Sequence, residues 1–218
     1  MSYDRRREAK LLNLEALSAA PAAREPFPFL TCPGILDADA LDAVSADFPA
    51  ISEPGLFPLS SLSYGEAFGR LVDEIRGPEL RALMEERFDV DLRGKPMMIT
   101  VRGHCQRRDG RIHVDSKDKL VTCLLYLNNP AWAPAGGRLR LLRQGHDLDS
   151  VIAEVPPDGG SFVAFRRTDN SWHGHAPFEG PRRYIMFNWL RSNTAMAVNT
   201  GRHTISSIAK AAGRFYAA

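Results

Sequence analysis

The stretch RIHVDSKD, residues 111–118, sets a histidine and an aspartate two positions apart. In an extended strand, residues i and i+2 point to the same face, so His113 and Asp115 would project side by side with Val114 turned away. Both side chains can bind a metal, but two such groups are also typical of a hydrogen-bonded surface pair. The pair becomes a metal-site hypothesis only if the chain offers a third ligand.

A third ligand is available in the stretch SWHGHAPF, which contains His173 and His175. Two histidines and one carboxylate on one side of a metal form the facial triad typical of non-haem iron(II), which leaves positions open for other ligands. We therefore predict a triad of His113, Asp115 and His173. His175 could replace His173, since both would lie on one face of a strand. A zinc site of the three histidines is a further alternative.

Arg183 follows His173 by ten positions and opens the strand-like run RYIMFNWL. The planar, permanently charged guanidinium of arginine is suited to a bidentate contact with a carboxylate. We interpret Arg183 as the anchor for an acidic co-substrate whose other end chelates the metal. Arg182 competes for this role, but Arg183 shares strand parity with Trp189 and is favoured.

The elements that must position these side chains change character near residue 96. From there the chain reads as short strand-like runs separated by turns rich in Gly, Pro, Asn and Asp, which is typical of an antiparallel sandwich or jelly roll. The runs are PMMITVRG, IHVD, KLVTCLLYLN, GRLRLLR, SVIAEV, GSFVAFR and RRYIMFNWL.

Residues 1–95 instead predict helical support and one added edge strand, PFPFL. Leu11, Leu14 and Leu17 recur at helical spacing, Asp37 is placed to cap a second helix, and Pro78 suits the first turn of another. In residues 191–218, a closing helix is predicted from Ile205, Ile208 and Ala212. We predict a single domain over 1–218, with residues 96–190 as its jelly-roll core.

Composition excludes some classes of protein. The net charge of +2 is too small to indicate nucleic-acid binding, and no apolar run approaches the roughly 20 residues of a membrane helix. Three widely spaced cysteines indicate neither a disulfide framework nor a zinc pattern, which favours a reducing cytoplasm. Arg102, Arg107, Arg108 and Arg111 cluster before His113. We interpret them as a solvated loop, with an anionic substrate or an acidic protein patch as the alternative.

Five motifs together resemble the iron(II)/2-oxoglutarate-dependent dioxygenases, in particular the prolyl 4-hydroxylase-like branch. They are HVD at 113–115, VTCLLYLN at 121–128, GGRLRLL at 136–142, SWHG at 171–174 and GPRRYIMFNW at 180–189. The resemblance covers roughly residues 96–190. It implies a mainly β protein with flanking α-helices and a double-stranded β-helix core, the cupin-like jelly roll.

The resemblance also assigns roles to residues. His113, Asp115 and His173 match the iron ligands, and the HG step with the interval to Arg183 favours His173 over His175. Arg183 and Tyr126 match the groups that bind the far carboxylate of 2-oxoglutarate. Thr122 would share the strand face of Tyr126 and belong to the same co-substrate pocket.

The implied activity is hydroxylation of an unactivated C–H bond, with oxidative decarboxylation of 2-oxoglutarate to succinate and carbon dioxide. The implied cofactors are iron(II) and 2-oxoglutarate, with ascorbate as an additional reductant. The implied partners are molecular oxygen and either a protein prolyl residue or a small molecule. The alternatives are a non-catalytic metal-binding jelly-roll module and a non-redox zinc enzyme. Arg183 and Tyr126 favour the oxygenase, because a bare metal-binding barrel needs no dicarboxylate anchor.

Overall fold

A computed structural model describes residues 10–128 and 132–196. The predicted closing helix around Ile205, Ile208 and Ala212 lies outside the described residues. No helix in the described ranges is both long enough and apolar enough to cross a membrane.

Four α-helices precede the strand-rich part of the chain. They are α1 (Leu14–Ala19), α2 (Ala38–Ala46), α3 (Glu66–Arg76) and α4 (Pro78–Phe88), with a short 3-10 helix at Leu59–Ser61 before α3. The predicted start signals are confirmed for two of them. The Asp37 carboxylate accepts a hydrogen bond from the Ala40 amide at 2.8 Å, and Pro78 occupies the first turn of α4. Helix α1 begins later than the leucine spacing suggested, because Asn13 caps it.

Within residues 10–128 and 132–196, ten strands form two antiparallel sheets. The strands are β1 (Ala22–Ala23), β2 (Phe29–Cys32), β3 (Phe57–Pro58), β4 (Met97–Cys105), β5 (Lys119–Tyr126), β6 (Leu139–Leu142), β7 (Val151–Val155), β8 (Phe162–Arg166), β9 (His173–Gly174) and β10 (Gly180–Leu190). The large sheet has the order β1-β2-β8-β5-β10-β4-β3, and the small sheet has the order β7-β6-β9. Every predicted run after residue 96 except IHVD contains a strand.

The IHVD run is not a strand, so the predicted reason for pairing His113 with Asp115 is wrong. His113 forms one isolated antiparallel bridge with His173, in which each backbone N–H donates to the other residue's carbonyl at 3.0 Å. Asp115 lies in the turn that leads into β5. A tertiary contact, and not strand alternation, therefore positions the HxD motif.

The large sheet separates two apolar cores. One face packs against the helices, through residues that include Ile185, Phe187 and Trp189 of β10. The opposite face packs against the small sheet, through residues that include Tyr184 and Met186. Because side chains alternate along a strand, each residue of β10 belongs to one side only. The side that faces the small sheet contains the candidate site.

Candidate active site

The structure brings the three predicted metal ligands together. His113, Asp115 and His173 each offer a ligand atom, and these atoms all lie within 4.8 Å of one another. The rings of the two histidines are 4.3 Å apart between centroids, and His113 Nε2 lies 4.0 Å from Asp115 Oδ1. His173 is buried, whereas 54% of the His113 side chain is exposed, so the cluster opens to solvent on the His113 side.

The hydrogen bonds of the two histidines suit metal binding. His113 Nδ1 lies 2.8 Å from the Arg111 carbonyl, and His173 Nδ1 lies 3.0 Å from the Ser171 carbonyl. A carbonyl accepts only, so each Nδ1 carries the proton and each Nε2 keeps a lone pair. Burial lowers the pKa of His173 to about 4, which keeps this ring neutral at pH 7. The cluster thus fits a divalent cation of the iron(II) type.

Asp115 is held as a carboxylate by two side chains of β5. Lys119 Nζ donates to Asp115 Oδ1 at 2.8 Å, and Thr122 Oγ1 donates to Oδ2 at 2.6 Å. Burial by itself would raise the pKa of Asp115, but the charge of Lys119 and these two hydrogen bonds hold it well below its usual range. Asp115 is therefore ionised and oriented before any metal arrives.

Thr122 also contacts Asn188 of β10, at 2.9 Å from its Oδ1. A hydroxyl has one proton, and the shorter contact to Asp115 uses it. Thr122 can then only accept from Asn188, which requires the amide nitrogen to face the hydroxyl. This orientation also supplies Asn188 Nδ2 with the partner that it lacks among the described residues. The chain of contacts runs from Asn188 through Thr122 to Asp115.

A cavity of about 190 Å³ extends from this cluster between the two sheets. Its walls include Leu124, Leu139 and Met186, and Arg182 and Tyr184 also line it. The volume is below the roughly 300–1,000 Å³ typical of pockets for drug-sized ligands. The cavity therefore suits a small co-substrate.

Arg182 is the buried cation of this cavity, with 2% of its surface exposed. Its Nε donates to the Gly137 carbonyl at 2.8 Å and its Nη2 donates to the Tyr126 hydroxyl at 3.0 Å, while the guanidinium stacks near Tyr126 and Tyr184. Among the described residues, no carboxylate forms an ion pair with Arg182. Buried charges are normally paired. Arg182 is therefore suited to bind a carboxylate of a ligand, which would supply the missing counter-ion.

Tyr126 is buried beside Arg182, and burial raises its pKa to about 12. Its hydroxyl is therefore neutral at pH 7. Because that oxygen accepts from Arg182, its proton remains available to a further acceptor. Arg182 lines this end of the cavity, and the fully buried Tyr126 holds its guanidinium there.

The prediction that Arg183 lines the pocket is wrong. Its parity with Trp189 is as predicted, but that face of β10 packs against the helices. Arg183 is exposed, and its guanidinium lies 5.2 Å from the centre of the Phe48 ring. Arg182 shares its face with Tyr184 and Met186 and so occupies the pocket.

His175 lines the same cavity but is not one of the clustered ligands. Its Nδ1 lies 2.8 Å from the Ala176 carbonyl, and burial lowers its pKa to about 4. The ring packs against Gly110, where a Cβ would approach it to 2.3 Å. The three-histidine zinc site therefore does not form among the described residues.

Residues 101–191 match the family model of the 2OG-Fe(II) oxygenase superfamily. This part of the chain therefore resembles that superfamily. The match confirms the predicted resemblance, the predicted enzyme class of dioxygenase and the predicted use of iron(II) and 2-oxoglutarate. Ascorbate stays a prediction. None of the curated proteins matches the chain.

Solved structures of similar fold include a prolyl-4-hydroxylase and a protein with 2-oxoglutarate bound. The crystal structure of a Pseudomonas putida prolyl-4-hydroxylase superposes with a TM-score of 0.53 at 20% identity, covering 82% of this chain and 89% of that chain. HygX from Streptomyces hygroscopicus, with nickel and 2-oxoglutarate bound, superposes with a TM-score of 0.52 at 14% identity, covering 76% and 82%. At these identities the likeness shows the fold, and it confirms the predicted jelly-roll core.

Sequence reasoning missed two residues of this site, Lys119 and Asn188, and favoured Arg183 over Arg182. Asn188 is a polar residue in an otherwise apolar strand, which is a signal for the face of β10 that forms the pocket. Arg182 lies on the same face as Asn188, so this signal would have favoured Arg182 over Arg183. Lys119 shares parity with core residues of β5, and no periodicity places it beside Asp115. The pairing of β5 with β10 is irregular next to Lys119, opposite Trp189 and Leu190, and this frees Lys119 from the alternation.

Lys119 provides a test of how the Asp115 carboxylate is held. We expect Lys119→Met to reduce the free energy of unfolding of the metal-free protein by about 3 kcal/mol, because a buried carboxylate loses its counter-charge. A bound divalent cation should restore that charge, so the variant and the wild type should differ less in free energy of unfolding when the metal is present. Urea unfolding with EDTA and with Mn(II) measures both quantities. The exposed Lys117→Met is the control. If Lys119→Met lost the same free energy of unfolding with and without metal, Lys119 would stabilise the fold by packing and not through its charge.

Proposed function

We propose that the protein is an iron(II)- and 2-oxoglutarate-dependent hydroxylase. It oxidises an unactivated C–H bond of a protein prolyl residue or of a small molecule and releases succinate and carbon dioxide. The observation that carries the proposal is the pairing of two sites in one cavity. A His-Asp-His cluster lies at one end, and at the other lies a buried arginine that has no carboxylate partner among the described residues.

The spacing of the two sites suits a small dicarboxylate. Thr122, which holds Asp115, and Tyr126, which contacts Arg182, are four residues apart on β5 and therefore about 13 Å apart along the strand. Both residues lie on the side of the sheet that meets the small sheet, and their partners Asp115 and Arg182 line the cavity. A five-carbon keto acid can chelate at the first end and place its second carboxylate at the other.

Each group of the chain then has a defined task. His113, Asp115 and His173 would hold iron(II), which supplies oxygen activation and redox chemistry when bound. Lys119 and Thr122 keep Asp115 ionised and oriented. Arg182 and Tyr126 orient 2-oxoglutarate, and Leu124, Leu139 and Met186 exclude water from its chain.

The proposed partners are molecular oxygen and a substrate that approaches the exposed side of His113. Of the two structural relatives named above, one is a prolyl-4-hydroxylase, which supports the prolyl class, and the other binds 2-oxoglutarate. We also propose a cytoplasmic location. Cys32, Cys105 and Cys123 are all buried and free, as in proteins of a reducing compartment.

The direct test is anaerobic titration of the reduced, iron-loaded protein with 2-oxoglutarate. We expect a visible iron-to-keto-acid charge-transfer band that saturates with one co-substrate per site. Oxygen should then release succinate. The Asp115→Ala variant is the control and should produce no band. A fully iron-loaded wild-type protein without a band would overturn the proposal.

A further inference from the structure

A second buried arginine lines the same cavity. Arg102 of β4 is 8% exposed and lies opposite Tyr184 in the register of the large sheet. Its guanidinium donates through Nη1 to the Asp109 carboxylate, to the His104 carbonyl at 3.4 Å and to Cys105 Sγ at 3.6 Å. The proposed function gives this residue no task.

The other edge of this guanidinium is available. Among the described residues, Arg102 Nε is buried and has no hydrogen-bond partner. Native structures rarely leave a buried donor unpaired. The edge formed by Nε and Nη2 has the geometry that binds a carboxylate through two parallel hydrogen bonds. Arg102 is therefore built for two anions, of which Asp109 is one.

The charge of the cavity also favours a second anion. Its ionised side chains are three cations and two carboxylates, which leaves one positive charge; these are Arg102, Lys119, Arg182, Asp109 and Asp115. Iron(II) and 2-oxoglutarate carry opposite charges of equal size, so the positive excess persists after both have bound.

The rim of the cavity has the same sign. Arg107, Arg108 and Arg111 are exposed on the loop that joins β4 to His113, and this loop contributes Asp109 and Gly110 to the cavity wall. The predicted solvated loop is confirmed for these three arginines and is wrong for Arg102. A positive rim around a low-dielectric cleft attracts anions and raises their rate of association.

We infer that the prime substrate is an anion and that Arg102 binds its carboxylate, which makes Arg102 a specificity-determining residue. The inference rests on the proposed function and adds the substrate's charge to it. In the large sheet, Arg102 is two strands from Tyr126, a lateral separation of about 10 Å. The substrate carboxylate would therefore lie beside the co-substrate, without competing for Arg182.

The test compares substrates that differ only in this charge. The probes are N-acetyl-L-proline with N-acetyl-L-prolinamide, and proline-containing peptides that carry aspartate or asparagine next to the proline. Binding is read from the change that each probe causes in the anaerobic charge-transfer band, and turnover from succinate release and product mass. We expect the carboxylate member of at least one pair to bind about 10- to 150-fold more tightly in the wild type.

Three variants separate this role from a structural one. Arg102→Gln should bind the two probes of a pair with equal affinity. It should leave the apparent constant for 2-oxoglutarate within about threefold of wild type, a difference below one kcal/mol. Arg102→Lys should keep part of the preference. Asp109→Asn removes the competing carboxylate and should strengthen the preference, so it tests the idea even if Arg102→Gln does not fold.

The outcomes distinguish the two proposals. A missing charge-transfer band would count against the proposed function itself. With the band intact, equal binding within every pair, or no binding by any carboxylate probe, would overturn the anionic substrate. A rise in the 2-oxoglutarate constant for Arg102→Gln as large as that for Arg182→Gln would also overturn it, because Arg102 would then be a co-substrate residue.

Discussion

His173→Ala is expected to abolish iron-dependent turnover and to weaken iron binding by more than about 100-fold, since even the loss of an outer partner of a metal ligand costs 10- to 100-fold. The imidazole is buried, its Nε2 is directed at the cluster, and no other described side chain can replace it there. Metal content after dialysis, and succinate release with 2-oxoglutarate, measure the two effects.

His175→Ala is the matched control for that variant. His175 is a buried histidine two residues away in the same cavity, and its Nδ1 is likewise bound to a carbonyl. It lies outside the ligand cluster, so iron content should remain close to that of wild type. If His175→Ala lost iron and His173→Ala retained it, the proposed triad would be incorrect.

Arg182→Ala is expected to raise the apparent constant for 2-oxoglutarate by about 10- to 150-fold, which corresponds to 1.5–3 kcal/mol for a charge-assisted contact. Iron content should change little, because Arg182 lies at the Tyr126 end of the cavity, away from the cluster. Arg182→Lys keeps the charge without the planar fork and should fall between wild type and alanine. Titration of 2-oxoglutarate at fixed iron provides the comparison.

Arg183→Ala is the natural control, because it removes an identical side chain one position along β10. Arg183 is exposed on Phe48, outside the cavity, so its loss should leave the 2-oxoglutarate constant within about twofold of wild type, as for most surface substitutions. Equal apparent constants for 2-oxoglutarate in wild type and Arg182→Ala would show that Arg182 does not bind the co-substrate. The proposal that 2-oxoglutarate is the co-substrate would then lose its main structural support, the buried Arg182.

The chemistry of the candidate site could be predicted from the sequence. Metal ligation depends on the type of side chain, so His113, Asp115 and His173 were identifiable as candidate ligands before the fold was known. Strand periodicity located β4, β5 and β10, and capping chemistry located α2 and α4. These signals are local, because they depend on residues a few positions apart.

Only the tertiary structure decided which side of each strand forms the site. Alternation divides β10 into two faces, but both carry large apolar residues, and one position separates Arg182 from Arg183. The face that meets the small sheet became the pocket, and this depends on packing between distant strands. Packing between distant strands also determines the positions of Lys119 and Arg102. Each was brought to the cavity by sheet register, which links residues far apart in the chain and leaves no periodic trace in the sequence.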